Sequence, residues 1–169
     1  VHGVNISARH VSGDFYDFFV LKDGRIYFNL GDVSGKGVNA ALLMAKTSSL
    51  FHCLGKDIHD PAELVGRVNE ELCESSIRGM FVTLCAGLYE PDSGKITLVN
   101  AGHMPALIIS SNGKFAKLEA QGPPLGVLSG VSYPSRTFSL GNNCLYLYSD
   151  GVTEGRTKNG EMLGFDGFI

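Results

Sequence analysis

The chain has 169 residues, 44% of them apolar and 18% charged, with a formal net charge of −3. That composition suits one globular domain with a substantial core and excludes a disordered chain. With no dense Lys/Arg run and no apolar run near the length of a membrane span, nucleic-acid binding and direct membrane contact are not expected. The first residue is Val, so the 1–169 stretch reads as a single domain excised from a longer protein. Cys53, Cys73, Cys85 and Cys144 show no zinc spacing and stand in apolar contexts. They read as small, reduced core residues, and the expected setting is cytoplasmic.

In chain order, "FYDFFVLKDGRIYFNLGD" predicts two strands turning at Asp23-Gly24, with Val20 and Leu21 facing Ile26 and Tyr27. A helix follows over 38–54, with Val38, Ala41, Leu42 and Ala45 as its apolar stripe, Leu43 and Met44 broadening it, and Gly55 as its stop. A second helix is predicted over 60–78. Asp60 is its N-cap, Pro61 its first residue and Glu63 the far side of a capping box. Leu64, Val65, Val68 and Leu72 supply its apolar face, and Gly79 ends it. Hairpins then turn at Pro91 to Gly94 and at Asn112-Gly113. A further pair, "SYPSRTFSL" and "CLYLYSD", is expected to join through "GNN". The order of two strands, two helices and about six more strands predicts α+β architecture, with two packed antiparallel sheets.

The segment "GDVSGKG" invites comparison with a phosphate loop, but Gly31 and Gly35 enclose only three residues and Lys36 is followed by Gly37 instead of Ser or Thr. The acids carry more. Asp32 ends one strand of the first hairpin and Asp14 precedes its partner, so both fall at the same open end. Asp150 in "YLYSDGVTE" again ends an apolar strand beside Gly. Three such carboxylates suit a hard divalent cation, although Asp beside Gly is also ordinary turn chemistry.

Five stretches, "SGDFYDFF", "GDVSGKGVNAALLMA", "NAGHMPALI", "GPPLGV" and "LYSDGVTEGRTKNGEMLGF", resemble in order the motifs of the SpoIIE/RsbU-type serine phosphatases, the bacterial branch of the phosphatase 2C superfamily. The resemblance implies two packed antiparallel sheets flanked by helix pairs. It implies a site for two divalent cations, Mn2+ or Mg2+. Asp32 would bridge them, the Val33 carbonyl would be a neighbouring ligand, Asp150 would bind one ion, and Asp14 would bind or orient a metal water. The implied activity is hydrolysis of a phosphoserine or phosphothreonine monoester by metal-bound water. The implied substrate is a phosphorylated signalling protein such as an anti-sigma-factor antagonist. A regulatory domain or partner would act on helices 38–54 and 60–78, and a homodimer is left open.

Two departures from the family pattern bear on the site. Ser34 stands where many eukaryotic relatives carry a His. The paired aspartates that the family places before Thr near its C-terminus are expected after Ile169. The alternative reading is therefore a non-catalytic, phosphatase-like binding module with an incomplete metal site. His103 reads as a loop-bonded histidine more than a site group, and His2, His10, His52 and His59 as incidental. Asp17 is divided between supporting the site and facing solvent, and Glu154 reads as a cap or ion-pair residue. Lys36 is divided between attracting phosphate and being a solvated loop cation. Gly31, Gly35 and Gly37 are expected to let the loop approach the metals.

Overall fold

The computed structural model describes residues 1–6, 13–74, 79–157 and 159–169. Its first hairpin joins β1 (Phe15–Val20) to β2 (Ile26–Val33), with Val20 opposite Ile26 and Phe15 opposite Gly31. Gly24 makes the turn possible at φ +86, where L side chains are strained. This register carries Asp14 and Asp32 past the last ladder pairs to one end of the sheet.

The helix α1 (Val38–Leu54) has the predicted bounds, but its buried face is not the predicted one. Ala40, Leu43, Thr47 and Phe51 are buried, whereas Val38 and Leu42 are 74% and 60% exposed. The helix is apolar around much of its circumference, so spacing alone did not select the face. Gly55 stops it from the right-handed region, donating its N–H to the Phe51 carbonyl; a Cβ there would meet the Phe19 ring at 2.8 Å. Close packing, not a left-handed turn, requires this glycine.

The helix α2 (Pro61–Glu74) begins as predicted, with Asp60 Oδ1 accepting from the Ala62 N–H at 2.9 Å. Its predicted apolar residues Leu64, Val65, Val68 and Leu72 are all buried. The expected continuation over 75–78 lies outside the described residues. The remaining strands are β3 (Val82–Glu90), β4 (Lys95–Ala101), β5 (Ala106–Ile109), β6 (Phe115–Leu118), β7 (Ser135–Ser139) and β8 (Cys144–Tyr146).

Two antiparallel sheets result, ordered β1-β2-β3-β4-β7 and β6-β5-β8. Alternation along the strands separates two cores. Tyr27, Leu84, Ala86, Leu88 and Val99 pack toward the helices α1 and α2. Cys85, Ile96 and Leu98 pack with Ala106, Leu118 and Leu145 between the sheets. Asp32 has the parity of Phe28, which belongs to this second core, so it lies on the inter-sheet face at the strand's end. On the small sheet's side the helical layer is thin. There α3 (Asp150–Thr153) and α4 (Gly164–Phe168) are short, and Phe165 and Phe168 of α4 lie against Phe115 and Tyr148.

Two expectations fail. The strands β7 and β8 are not a hairpin: β7 pairs with β4 and β8 with β5. The Leu140 N–H donates to the Gly94 carbonyl, fastening the end of β7 to the β3–β4 turn, and the chain then crosses to the other sheet. Of the cysteines only Cys85 is a core residue; Cys53 and Cys144 are exposed and Cys73 is intermediate. Among the described residues no helix is long and apolar enough to cross a membrane.

Candidate metal centre

The three acids reach the site from separate places in the chain. Asp14 precedes β1, Asp32 is the penultimate residue of β2, and Asp150 opens α3. One carboxylate oxygen from each lies within 4.8 Å of the others. The Ser149 hydroxyl does not cap α3; it donates to Asp14 Oδ2 at 2.9 Å and so ties the α3 segment to the β1 entrance. The Asn5 side-chain amide donates to the Asp14 carbonyl at 2.9 Å.

Burial raises the pKa of the Asp32 carboxyl to about 7, assisted by its hydrogen bond with Asp14 and by the charges of Asp14 and Asp150; the Val33 N–H opposes the shift. A carboxyl whose ionised form is disfavoured first by burial and then by two acidic neighbours is a place where a cation would offset the cost of that charge. Gly13 adds an independent observation. A Cβ on it would lie 2.9 Å from the Val33 carbonyl oxygen and 3.0 Å from Asp32 Oδ1, so both oxygens line a notch that a side chain would fill. An all-oxygen set of three carboxylates and a backbone carbonyl fits a hard divalent cation. Gly13→Ala is expected to weaken Mn2+ binding at least about tenfold while far-ultraviolet circular dichroism stays unchanged, as a displaced supporting group typically does. Equal affinity in titrations of both proteins would contradict that use of the notch.

Other predicted groups find different places. Asp17 is half-buried and its Oδ2 lies 2.7 Å from His52 Nδ1, a hydrogen-bonded pair outside the acid cluster. Ser34 is tied to the chain opposite, its hydroxyl oxygen accepting from the Phe81 N–H at 2.8 Å and its own N–H donating to the Phe81 carbonyl. Gly31 serves packing, since a Cβ there would meet the Phe15 ring at 2.6 Å. Gly35 and Gly37 supply left-handed backbone at φ +93 and +85. Lys36 is exposed in the loop between them, Glu154 closes α3 through its N–H to the Asp150 carbonyl, and His10 lies outside the described residues. Gly13 and Ser149 were the groups missed; each adjoins a predicted acid in sequence, which was the available signal.

The family model for Stage II sporulation protein E (SpoIIE) matches residues 22–169. The chain belongs to the SpoIIE family. This SpoIIE-family domain is 32% identical over 162 residues to the phosphoserine phosphatase RsbU of Bacillus subtilis, a match covering 95% of the domain and 48% of RsbU. Among solved structures it superposes on the RsbU and RsbW domains of a Mycobacterium tuberculosis protein with a TM-score of 0.77 and 26% identity, over 92% of the domain and 44% of that chain. The PP2C phosphatase domain of SpoIIE from Bacillus subtilis shares the fold, with a TM-score of 0.74 and 22% identity over 86% of the domain and 43% of that chain. The SpoIIE-family domain spans less than half the length of the curated relatives it matches. The resemblance carried by its five motifs therefore holds at the level of family and fold.

Proposed function

We propose that this domain is a divalent-cation-dependent protein serine/threonine phosphatase. The observation that carries the reading is the convergence of Asp14, Asp32 and Asp150 beside the Val33 carbonyl at one end of the sheet pair. Membership of a family that includes the phosphoserine phosphatase RsbU supports it. Asp32, Asp14 and Asp150 would hold two ions, Mn2+ or Mg2+, with Val33 as a backbone ligand. Such cations supply Lewis-acid stabilisation of phosphoryl charge and a water acidic enough to attack at neutral pH.

The protein's own residues then bind and orient. Asp32 occupies the centre of the acid cluster, Ser149 fixes the Asp14 carboxylate, and the Ser34–Phe81 bonds hold the loop that leaves Asp32. The substrate is a phosphoserine or phosphothreonine on a signalling protein of the anti-sigma-factor-antagonist kind, in the cytoplasm. A regulatory partner acting on α1 and α2 would reach the site directly, because α1 starts five residues after Val33.

The test is hydrolysis of a phosphoserine peptide against Mn2+ concentration, followed by release of inorganic phosphate. Saturable dependence on Mn2+, reversed by chelation, is the expected result. Turnover that survives chelation would overturn the cation-dependent reading, and Mn2+ binding without any turnover would favour the non-catalytic module.

A further inference from the structure

Two of the motifs, "NAGHMP" over 100–105 and "GPPLG" over 122–126, contribute no acid to the cluster, yet together they enclose one imidazole. Asn100 is buried; its Oδ1 accepts from the His103 N–H at 2.8 Å and its Nδ2 donates to the Met104 carbonyl at 3.0 Å. Its own carbonyl accepts from the N–H groups of Gln121 and Gly122. Gly102, at φ +71, lies so close under Pro124 that a Cβ would meet the proline ring at 2.7 Å. The turn is thus closed from three sides, and His103 is held within it at 6% exposure.

The two ring nitrogens differ in their bonding. Nδ1 lies 2.8 Å from Thr83 Oγ1. The Thr83 hydroxyl donates to the Asp32 carbonyl at 3.3 Å, and Thr83 is the residue paired with Asp32 in the β2–β3 ladder. Thr83 Oγ1 thus stands between the ring and the backbone of Asp32, while the ring also engages the Tyr148 backbone. Burial holds the ring's pKa below the ordinary histidine value, while the charges of Asp14 and Asp150 and the Tyr148 backbone act against that shift. The acids are therefore near enough to act on the ring.

We propose that His103 is a positioning residue for the cation site: its Nδ1 fixes Thr83 and with it the backbone at Asp32. The proposal rests on the reading of Asp14, Asp32 and Asp150 as cation ligands. It assigns the two motifs a task that their sequence does not announce, since neither carries a carboxylate into the site.

The experiment follows the ring nitrogens of 15N-histidine-labelled protein through a Mg2+ titration and measures Mn2+ affinity in three variants. The His103 Nδ1 resonance is expected to move with Mg2+ occupancy while those of His2 and His59 stay in place. His103→Ala and Thr83→Val are expected to bind Mn2+ about tenfold more weakly, the range seen when a group supporting a metal ligand is lost. His103→Asn should recover part of the loss, because its amide can occupy the place of Nδ1. An unmoved Nδ1 resonance, or wild-type Mn2+ affinity in the folded variants, would overturn the proposal. Should His103→Ala fail to fold, Thr83→Val and His103→Asn still decide it. Wild-type protein that binds no Mn2+, indistinguishable from Asp32→Asn, would instead remove the cation-ligand reading and the proposal with it.

Discussion

Asp32→Asn is expected to abolish cation-dependent turnover and to make the metal-free protein more stable. The first effect follows from position. Asp32 is the acid on which the charges of both Asp14 and Asp150 act, so removing its charge disrupts whatever ions the three share. Cations of this kind contribute several kcal/mol of charge stabilisation, and at about 1.36 kcal/mol per decade the loss is about a thousandfold or more. The second effect follows from the same crowding. The folded pKa of Asp32, about 7, is raised above the unfolded value of 3.8. The folded state therefore holds this proton more tightly than the unfolded state, and the stability it confers is lost as pH rises through about 7. Asparagine keeps the shape and removes the charge. At pH 8 the metal-free variant should melt higher than the metal-free wild type, by about 2–4 °C for each kcal/mol relieved. Wild-type melting temperature should fall between pH 5 and 8 by a component absent from the variant. A variant that lost activity and stability together would point to a damaged fold and against a charge-crowded site.

The same residues show which parts of the molecule were legible in the sequence. Asp23-Gly24 located the turn of the first hairpin but not its register: Leu21 faces Arg25 across three residues, Lys22 to Gly24, one residue off the pairing a two-residue turn would give, and the open end still brings Asp14 and Asp32 together. Local signals also gave the start of α2, where Asp60 and Pro61 act within one turn of backbone. The failures depended on contacts that no local pattern contains. Val38 and Leu42 fit an apolar stripe as well as Ala40 and Leu43 do, and only the position of the sheet decides between them. The strands β7 and β8 are separated by a short turn-forming segment, yet the bond from Leu140 to the β3–β4 turn sends them to different sheets. His103 was legible as a loop-bonded residue, and it does bond within its turn. Its relation to Asp32 runs through Thr83, twenty residues away, and no spacing rule reports that.

Asp150 illustrates the middle case. Its motif and strand-end position marked it, but the bond that seats its segment comes from the preceding residue, Ser149, to an acid 135 residues earlier in the chain. Sequence identifies such a group by kind; the closure of two sheets upon each other determines its neighbours. The acid cluster is thus a product of the fold's far contacts, assembled from residues whose local setting is turn chemistry. That accounts for both readings of the acids being sound on local grounds.

Lowering the pH from 7.5 to 5.5 is expected to weaken Mn2+ binding by one to two orders of magnitude. In the metal-free protein the Asp32 carboxyl is half protonated at about pH 7, through burial first and its two acidic neighbours second. A cation needs the ionised form and must displace the proton. Above about pH 7 that displacement is nearly free and the affinity should level off. Below it, one bound proton competes for each site, and the apparent dissociation constant should rise roughly tenfold per pH unit. Isothermal titration in buffers of different ionisation enthalpy measures this directly: about one proton should be released per binding event at pH 6, and close to none at pH 8. The direction separates Asp32 from an ordinary exposed carboxylate, which would be ionised throughout this range and give a flat profile. A flat profile would show that Asp32 is not a ligand, or that its crowding by Asp14 and Asp150 does not persist in solution. A slope confined to pH below 7 would place the competing proton on Asp32, half-buried beside Asp14 and Asp150.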